Sequence, residues 1–241
     1  MTRPLFLAPL TDPLPPVSTT VELTGDEGRH AAVVRRIRTG EEILVADGQG
    51  RGVVAEVTAA EKSGLQLRVL EHLGADEPAR RVVAVQALAK GDRSELAVEM
   101  LTEVGVDEIV PWQASRSIVR WQGERGEKSL KKWQATAREA TKQSRRLRMP
   151  QVTAAVTTKQ LVQRLGTVDL ALVLHEDASQ SLATMEIPES GTVLLVVGPE
   201  GGISAEELEA FTAAGAEPVT ISDGVLRTST AGVVAAGLLR M

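Results

Sequence analysis

Between residues 17 and 73 apolar and polar positions alternate over short stretches, the two-residue period of strands with one buried face. Residues 42–46 read as a strand ending in the turn Asp47-Gly48-Gln49-Gly50. Val53-Val54-Ala55-Glu56-Val57 and Leu65-Gln66-Leu67-Arg68-Val69-Leu70 follow as half-buried strands. This part of the chain is expected to form a small β-barrel-like domain, with Leu73-Gly74-Ala75-Asp76-Glu77-Pro78 as the linker.

After Arg81 the rhythm changes. Residues 82–88 are an apolar run, and Asp92-Arg93-Ser94-Glu95 has the form of a capping box opening a helix whose apolar face is Leu96, Met100, Leu101 and Val104. Ile109-Val110 is a short strand, and residues 128–147 a long basic helix. Residues 169–174 and 192–197 are continuous apolar runs after their opening Asp169 and Thr192, as in parallel strands buried on both faces. Ser204-Ala205-Glu206-Glu207 is a second capping box, on a helix ending near Gly215; residues 219–222 are a strand, and residues 228–239 a helix of small residues. Strands alternating with helices predict an α/β domain with a mostly parallel sheet.

Composition narrows the function. The chain has 241 residues, no cysteine and no tyrosine, which excludes disulfides, thiolate metal sites and a cysteine nucleophile. His30, His72 and His175 lie too far apart for a tri-histidine metal site, so no metal is expected. Five aromatic rings, Phe6, Trp112, Trp121, Trp133 and Phe211, argue against reading single-stranded RNA by base stacking. Trp121 and Trp133 flank or lie in the most basic segment and are the two rings to watch for RNA contact, helix-face packing being the other role for Trp133. The longest uncharged run, residues 228–239, is too short to span a membrane, and the proline-broken N-terminus lacks a signal-peptide core; a soluble cytoplasmic protein is expected.

Charge is uneven. The net charge is −5, yet residues 116–149 hold eleven Lys or Arg against three acids, and residues 29–38 hold four Arg and no acid. Two basic patches on an acidic chain point to a localised polyanion site; a solvated helix face is the alternative.

Three strand ends carry candidate chemistry, since ligands of open parallel sheets bind beyond the C-terminal ends of strands. They are Leu174-His175-Glu176-Asp177-Ala178-Ser179, Val197-Gly198-Pro199-Glu200-Gly201-Gly202 and Ile221-Ser222-Asp223-Gly224-Val225-Leu226-Arg227-Thr228. The Gly-Pro-Glu-Gly-Gly loop has neither dinucleotide-fold nor P-loop spacing. It reads either as a ligand loop or as a plain strand-to-helix turn. His175 and Asp177 read either as an acid/base pair or as hydrogen-bonded structural residues.

These motifs, in this order, resemble the RsmE family of 16S ribosomal RNA uridine methyltransferases, within the SPOUT superfamily. The resemblance runs from Arg3-Pro4-Leu5-Phe6 through His30…Val34-Arg35-Arg36, Asp47-Gly48, Lys90-Gly91-Asp92-Arg93, Ser115-Arg116-Ser117 and Gln143-Ser144-Arg145-Arg146 to the three strand-end loops. It implies a PUA-like RNA-binding β-barrel over residues 1–73 and a SPOUT methyltransferase domain over residues 74–241, with a deep trefoil knot and a homodimer. It implies S-adenosylmethionine as cofactor, and as substrate N3 of a uridine in 16S rRNA, within the 30S subunit. Cofactor contacts then fall to Leu174, His175, Gly198, Glu200, Gly202, Ile221, Ser222, Val225 and Leu226. RNA contacts fall to Arg3, His30, Arg35, Arg36, Arg38, Arg116, Lys131, Lys132, Arg138 and Arg145. Arg227, Gln143 and Arg146 become the candidate catalytic residues. Arg227 would stabilise the deprotonated uracil or, alternatively, serve as a cap or ion-pair partner. Ser222, Gly224 and Ser229 stand where the family commonly has Gly, Arg and Glu, so the roles of that Arg and Glu are not carried over. Another SPOUT reaction (ribose 2′-O or guanine N1 methylation) and an RNA-binding assembly factor without activity remain the alternatives.

Overall fold

A computed structural model of the chain describes residues 3–74 and 77–240. They fall into two units, Met1–Glu77 with Thr141–Met149, and Pro78–Ala140 with Pro150–Met241.

The first unit is built on a five-stranded sheet. Its strands are β1 (Leu5–Leu7), β2 (Thr20–Leu23), β3 (Glu42–Ala46), β4 (Arg51–Glu61) and β5 (Gly64–Gly74), in the order β1-β3-β4-β5-β2. Helix α1 (Gly25–Arg29) and a π-helical turn, His30–Val34, connect β2 to β3. The pair β1–β3 is parallel and the rest antiparallel. Register shifts at Val54/Ala55 and Val57/Ala59 mark bulges in β4, which bend a strand and increase its twist. The curled sheet closes over Phe6, Leu23, Ile43, Val53, Leu67 and Val69. The expected barrel is thus met by a curled sheet with two ends: among the described residues the short outer strands β1 and β2 do not pair. Leu73 and Gly74, expected in the linker, are the end of β5; Ala75 and Asp76 of that linker lie outside the described residues.

Residues 141–149 return to this unit, which a single break between residues 73 and 74 does not include. Leu147 packs on Leu5, Leu7 and Ala46, Gly50 N donates to Leu147 O at 3.0 Å, and Met149 N donates to Gly48 O at 2.9 Å.

The second unit carries an eight-stranded sheet. Its strands are β6 (Arg80–Ala87), β7 (Glu108–Gln113), β8 (Gln151–Val152), β9 (Val156–Thr157), β10 (Leu170–Leu174), β11 (Gln180–Ser181), β12 (Gly191–Val197) and β13 (Glu217–Thr220). The order is β11-β13-β10-β12-β6-β7-β8, β9 also pairs with β7, and every pairing is parallel. Its helices are α2 (Arg93–Val104), α4 (Thr158–Leu165), α5 (Ala205–Ala213) and α6 (Thr228–Arg240), and it shares α3 (Gly123–Ser144) with the first unit. The apolar run in β6 has a two-sided cause. Val82 and Ala84 pack with Val98, Leu101, Trp133 and Ala235, whereas Val83 and Val85 pack with Leu161, Leu165 and Phe211. Alternate side chains thus enter cores on opposite faces of one sheet.

Four details correct the sequence reading. Asp92 is the N-cap of α2 but makes no side-chain cap bond, because its backbone is already helical (φ −76°, ψ −2°); Ser94 Oγ bonds Ala89 instead, and Glu95 pairs with Lys132 at 2.9 Å. The buried face of α2 is Ala97, Val98, Leu101 and Thr102, leaving Leu96 44% exposed. β13 ends at Thr220, so Ile221 and Ser222 belong to the following loop. Trp133 is buried with its ring 5.0 Å from that of Trp121, edge to face, which assigns it to packing and removes it from RNA contact. Among the described residues no helix is long and apolar enough to cross a membrane.

Candidate functional site

The order β13-β10-β12 places the three candidate loops beyond the C-terminal ends of three adjacent strands. There they enclose a cavity of about 620 Å³, within the ~300–1,000 Å³ range of small-molecule sites. Leu174, His175, Gly198, Glu200, Gly202, Val225, Leu226 and Arg227 line it, with Arg93 and Arg116 from neighbouring elements. A narrower recess shares the wall of Leu174, His175, Val225 and Leu226 and adds Ile221 and Ser222. All nine candidate cofactor residues therefore meet in two adjoining recesses, and Arg227 stands at the wider one.

Physical constraints fix the loop after β12. A side chain at Gly198 would place Cβ 2.9 Å from Ile203 Cγ1. Gly202 has φ +72°, which disfavours any residue with a Cβ. Thr228 Oγ1 donates to Gly198 O at 2.7 Å, and buried Gln86 donates through Nε2 to Thr228 Oγ1 at 3.0 Å. Glu200 Oε1 accepts from Lys90 N at 3.1 Å and faces Arg93 Nη1 at 3.6 Å. Arg116 Nη1 donates to Gly201 O at 3.1 Å.

Glu207 anchors this loop from behind. The Ser204–Glu207 capping box forms as expected, but the buried Glu207 carboxylate also accepts from Ser115 N, Ser115 Oγ and Thr158 Oγ1, each at 2.8 Å. Burial pushes this carboxyl up, and the bonds from Ser115, Thr158 and Ser204 outweigh it, holding it below the usual glutamate value. Ser115 and Ser204 bracket the Arg116–Gly201 contact, so one carboxylate braces both sides of the cavity rim.

His175 Nδ1 accepts from Asp177 N at 3.2 Å, and the His175 backbone N–H donates to Val219 O at 3.1 Å. Asp177 thus meets the ring through its backbone, the arrangement of a structured turn. Ser222 Oγ accepts from Gly224 N at 3.1 Å, tying the third loop to itself. The Arg227 guanidinium is exposed and makes no hydrogen bond or ion pair with another described residue, whereas Arg227 O accepts the N–H groups of Thr230 and Ala231. Its backbone starts α6 and its side chain remains available at the cavity.

Other candidates lie elsewhere. Gln143 is exposed and Arg146 half-buried in the stretch grouped with the first unit, and neither lines the cavity. Of the candidate RNA residues, Arg3, His30, Arg35, Arg36, Arg38 and Arg145 belong to the first unit. Arg3 pairs with Glu42 at 2.6 Å and shares a surface depression with Arg145. The His30 ring meets Phe6 edge to face. Arg35, Arg36 and Arg38 are exposed beyond the π-helical turn, Arg36 with φ 54°. In the second unit Lys131 is exposed, Lys132 is exposed but ion-paired, Arg138 is half-buried and Arg116 lines the cavity. Sequence reasoning missed Arg93, Gln86, Ser115 and the bracing role of Glu207. The readable signals were the glutamine inside the apolar run of residues 82–88 and the place of Arg93 and Ser115 within motifs that carry the resemblance.

Comparison with known proteins agrees with this layout. A family model described as an RNA methyltransferase domain matches residues 76–240, and one described as an RNA methyltransferase PUA domain matches residues 23–70. A Mycobacterium tuberculosis (strain CDC 1551 / Oshkosh) protein named ribosomal RNA small subunit methyltransferase E is 45% identical over 230 residues, covering 94% of this chain and 88% of that protein. The protein of that name from Bacillus subtilis (strain 168) is 30% identical over 220 residues, covering 88% and 86%. The crystal structure of a ribosomal RNA small subunit methyltransferase E from Neisseria gonorrhoeae bound to S-adenosyl methionine superposes with a TM-score of 0.85 at 28% identity, over 98% of this chain and 95% of that one.

Proposed function

Because the chain belongs to the ribosomal RNA small subunit methyltransferase E family, we propose that it transfers a methyl group from S-adenosylmethionine to N3 of a uridine in 16S rRNA of the small subunit. The observation that carries this reading is the cavity at the ends of β10, β12 and β13, where the loops matching the family's cofactor motifs meet. The cavity fits that cofactor on its own chemistry. Gly198 and Gly202 open the loop backbone to a ligand, Leu174, Val225 and Leu226 offer apolar surface, and the volume suits a nucleoside with a short side chain.

Leu174, His175, Gly198, Glu200, Gly202, Ile221, Ser222, Val225 and Leu226 would hold the cofactor. When bound, it supplies an electrophilic methyl group. The chain's own work is to align the acceptor base and to manage a proton. Neutral uridine N3 carries a proton and has no useful lone pair, so the acceptor must be the deprotonated form. Arg227, exposed at the cavity, stabilises the charge that spreads onto O2 and O4 as that proton passes to solvent water. Gln143 and Arg146 remain candidates to orient the base or its phosphate, although neither lines the cavity. The clasp of Thr228 on Gly198 keeps the cofactor loop rigid, and alignment of this kind is a large part of catalysis for an in-line displacement.

In this reading residues 1–73 are a PUA-like RNA-binding domain and residues 74–241 a SPOUT domain with a deep trefoil knot, paired as a homodimer in the cytoplasm. Arg3, His30, Arg35, Arg36, Arg38, Arg116, Lys131, Lys132, Arg138 and Arg145 hold RNA. Calorimetric titration with S-adenosylmethionine tests the cofactor assignment, and labelled methyl transfer to small subunits tests the whole. An RNA-binding factor without activity would give no heat and no transfer.

A further inference from the structure

Three guanidinium groups stand at the wide recess, Arg93, Arg116 and Arg227, while among the described residues no Lys or Arg lines the narrow one. A ligand against the shared wall of Leu174, His175, Val225 and Leu226 therefore has cations on one side only. S-adenosylmethionine has one carboxylate and two positive centres. Guanidinium groups repel its sulfonium and ammonium, which the acids Glu176 and Asp177 suit better. The recess also holds the carboxylates of Glu176, Asp177 and Glu200, so its formal charges balance; what sets it apart is the placement of two guanidinium forks along one side, which suits an anion other than the cofactor.

Arg93 and Arg116 are fixed by consecutive residues of one loop. Glu200 Oε1 faces Arg93 Nη1 at 3.6 Å, and Gly201 O accepts from Arg116 Nη1 at 3.1 Å. Lys90 N donates to the same Glu200 oxygen, which stiffens that anchor. The acids Glu176 and Asp177 also line the wide recess, but from the opposite loop, after β10. Glu206, which feels the charge of Arg116, belongs to α5. A guanidinium has five N–H donors, so each anchor leaves most of the fork available. Two forks held by a braced loop lose little freedom when an anion arrives, and guanidinium geometry matches phosphate oxygens in pairs.

We infer that Arg93 and Arg116 form a phosphodiester-binding site on the rim of the wide recess, gripping the RNA backbone beside the nucleotide to be methylated while Arg227 serves the base. This rests on the proposed RNA methylation. Glu200 is then a positioning residue: it holds Arg93 toward the strand.

The test compares Arg93→Gln and Arg116→Gln with the wild-type protein in three readouts: S-adenosylmethionine affinity by calorimetry, KM for small subunits, and the salt dependence of RNA binding. Each variant is expected to keep cofactor affinity within about twofold, to raise KM about tenfold, and to lower the slope of log affinity against log salt by about one, the signature of one lost phosphate contact. A tenfold loss of cofactor affinity with an unchanged salt slope would overturn the inference and assign these groups to the cofactor carboxylate. Three unchanged readouts would overturn it too, reducing the contacts to structural ties. If a glutamine variant melts early, Arg93→Lys or Arg116→Lys takes its place. The lysine keeps the charge but not the fork, so the salt slope should persist with KM raised about threefold, and an unchanged KM would overturn the inference. Failure of the functional proposal itself looks different: the wild-type protein would neither bind the cofactor nor transfer methyl.

Discussion

Thr228 Oγ1 donates a 2.7 Å hydrogen bond to the carbonyl of Gly198, so the first residue of α6 clasps the glycine loop that follows β12. Gln86, fully buried in β6, extends the clasp by donating to Thr228. Thr228→Val keeps the shape but leaves Gly198 O and Gln86 Nε2 without this partner. It should cost about 1–3 kcal/mol of stability and weaken cofactor binding about tenfold, with Thr228→Ser close to wild type. Thermal melting and calorimetric titration check both effects.

Arg227 is expected to act on the reacting base alone. Arg227→Ala should leave cofactor affinity unchanged and lower kcat by about 10²-fold or more, the usual scale for removing one electrostatic stabiliser. Near-normal turnover with intact cofactor binding would return Arg227 to a purely structural role at the start of α6.

Glu207 predicts an acid limb in stability. Its folded-state pKa lies below its unfolded value, so the ionised carboxylate contributes stability that is complete above the ordinary glutamate value near 4.5. That contribution is lost as the pH falls through the lowered value. Glu207→Gln keeps only one acceptor oxygen for donors on Ser115, Thr158 and Ser204, so it should be less stable at neutral pH and show a shallower decline below pH 4.5. Denaturant unfolding from pH 3 to 7 measures the difference.

Much of this site was legible in the sequence, and the exceptions have physical causes. The three candidate loops that meet at the cavity could be placed because apolar runs in parallel sheets end where ligands bind, and the runs before Leu174 and Gly198 are unambiguous. The two capping-box strings look equivalent, yet only Ser204 has the extended backbone (φ −74°, ψ 158°) that lets its side chain reach back, while Asp92 is already helical. The face of α2 was misread because Leu96 outranks Ala97 in hydropathy, although tight packing selects the smaller residue. The return of residues 141–149 to the first unit depends on Leu147 meeting Leu5, Leu7 and Ala46, contacts between residues about 100 to 140 positions apart that no local pattern records.

Arg145 holds φ 55° at the end of α3, a left-handed conformation costing a non-glycine residue about 1–2 kcal/mol. Arg145→Gly should relieve part of that strain, raising stability by up to about 1 kcal/mol after the entropy cost of glycine, while weakening RNA binding and lowering its salt slope. Thermal melting paired with filter binding over a salt series tests the trade. A variant that is less stable, or that binds RNA unchanged, contradicts it.

The proposed homodimer has its own check. Leu96 on α2 and Val234 on α6 are large apolar residues left exposed on two helices that pack together. Wild-type protein should sediment as a dimer, and Val234→Glu should shift it to monomer without unfolding it. A wild-type monomer by analytical ultracentrifugation would count against the pairing.

Methylation of uridine N3 in small-subunit RNA is directly measurable. Small subunits from a strain lacking this methylation, incubated with the protein and S-adenosylmethionine labelled in the methyl group, should gain label in 16S rRNA alone. Nucleoside digestion should return it as 3-methyluridine. Label on a ribose 2′-oxygen or on guanine, or no transfer despite cofactor binding, would contradict the account.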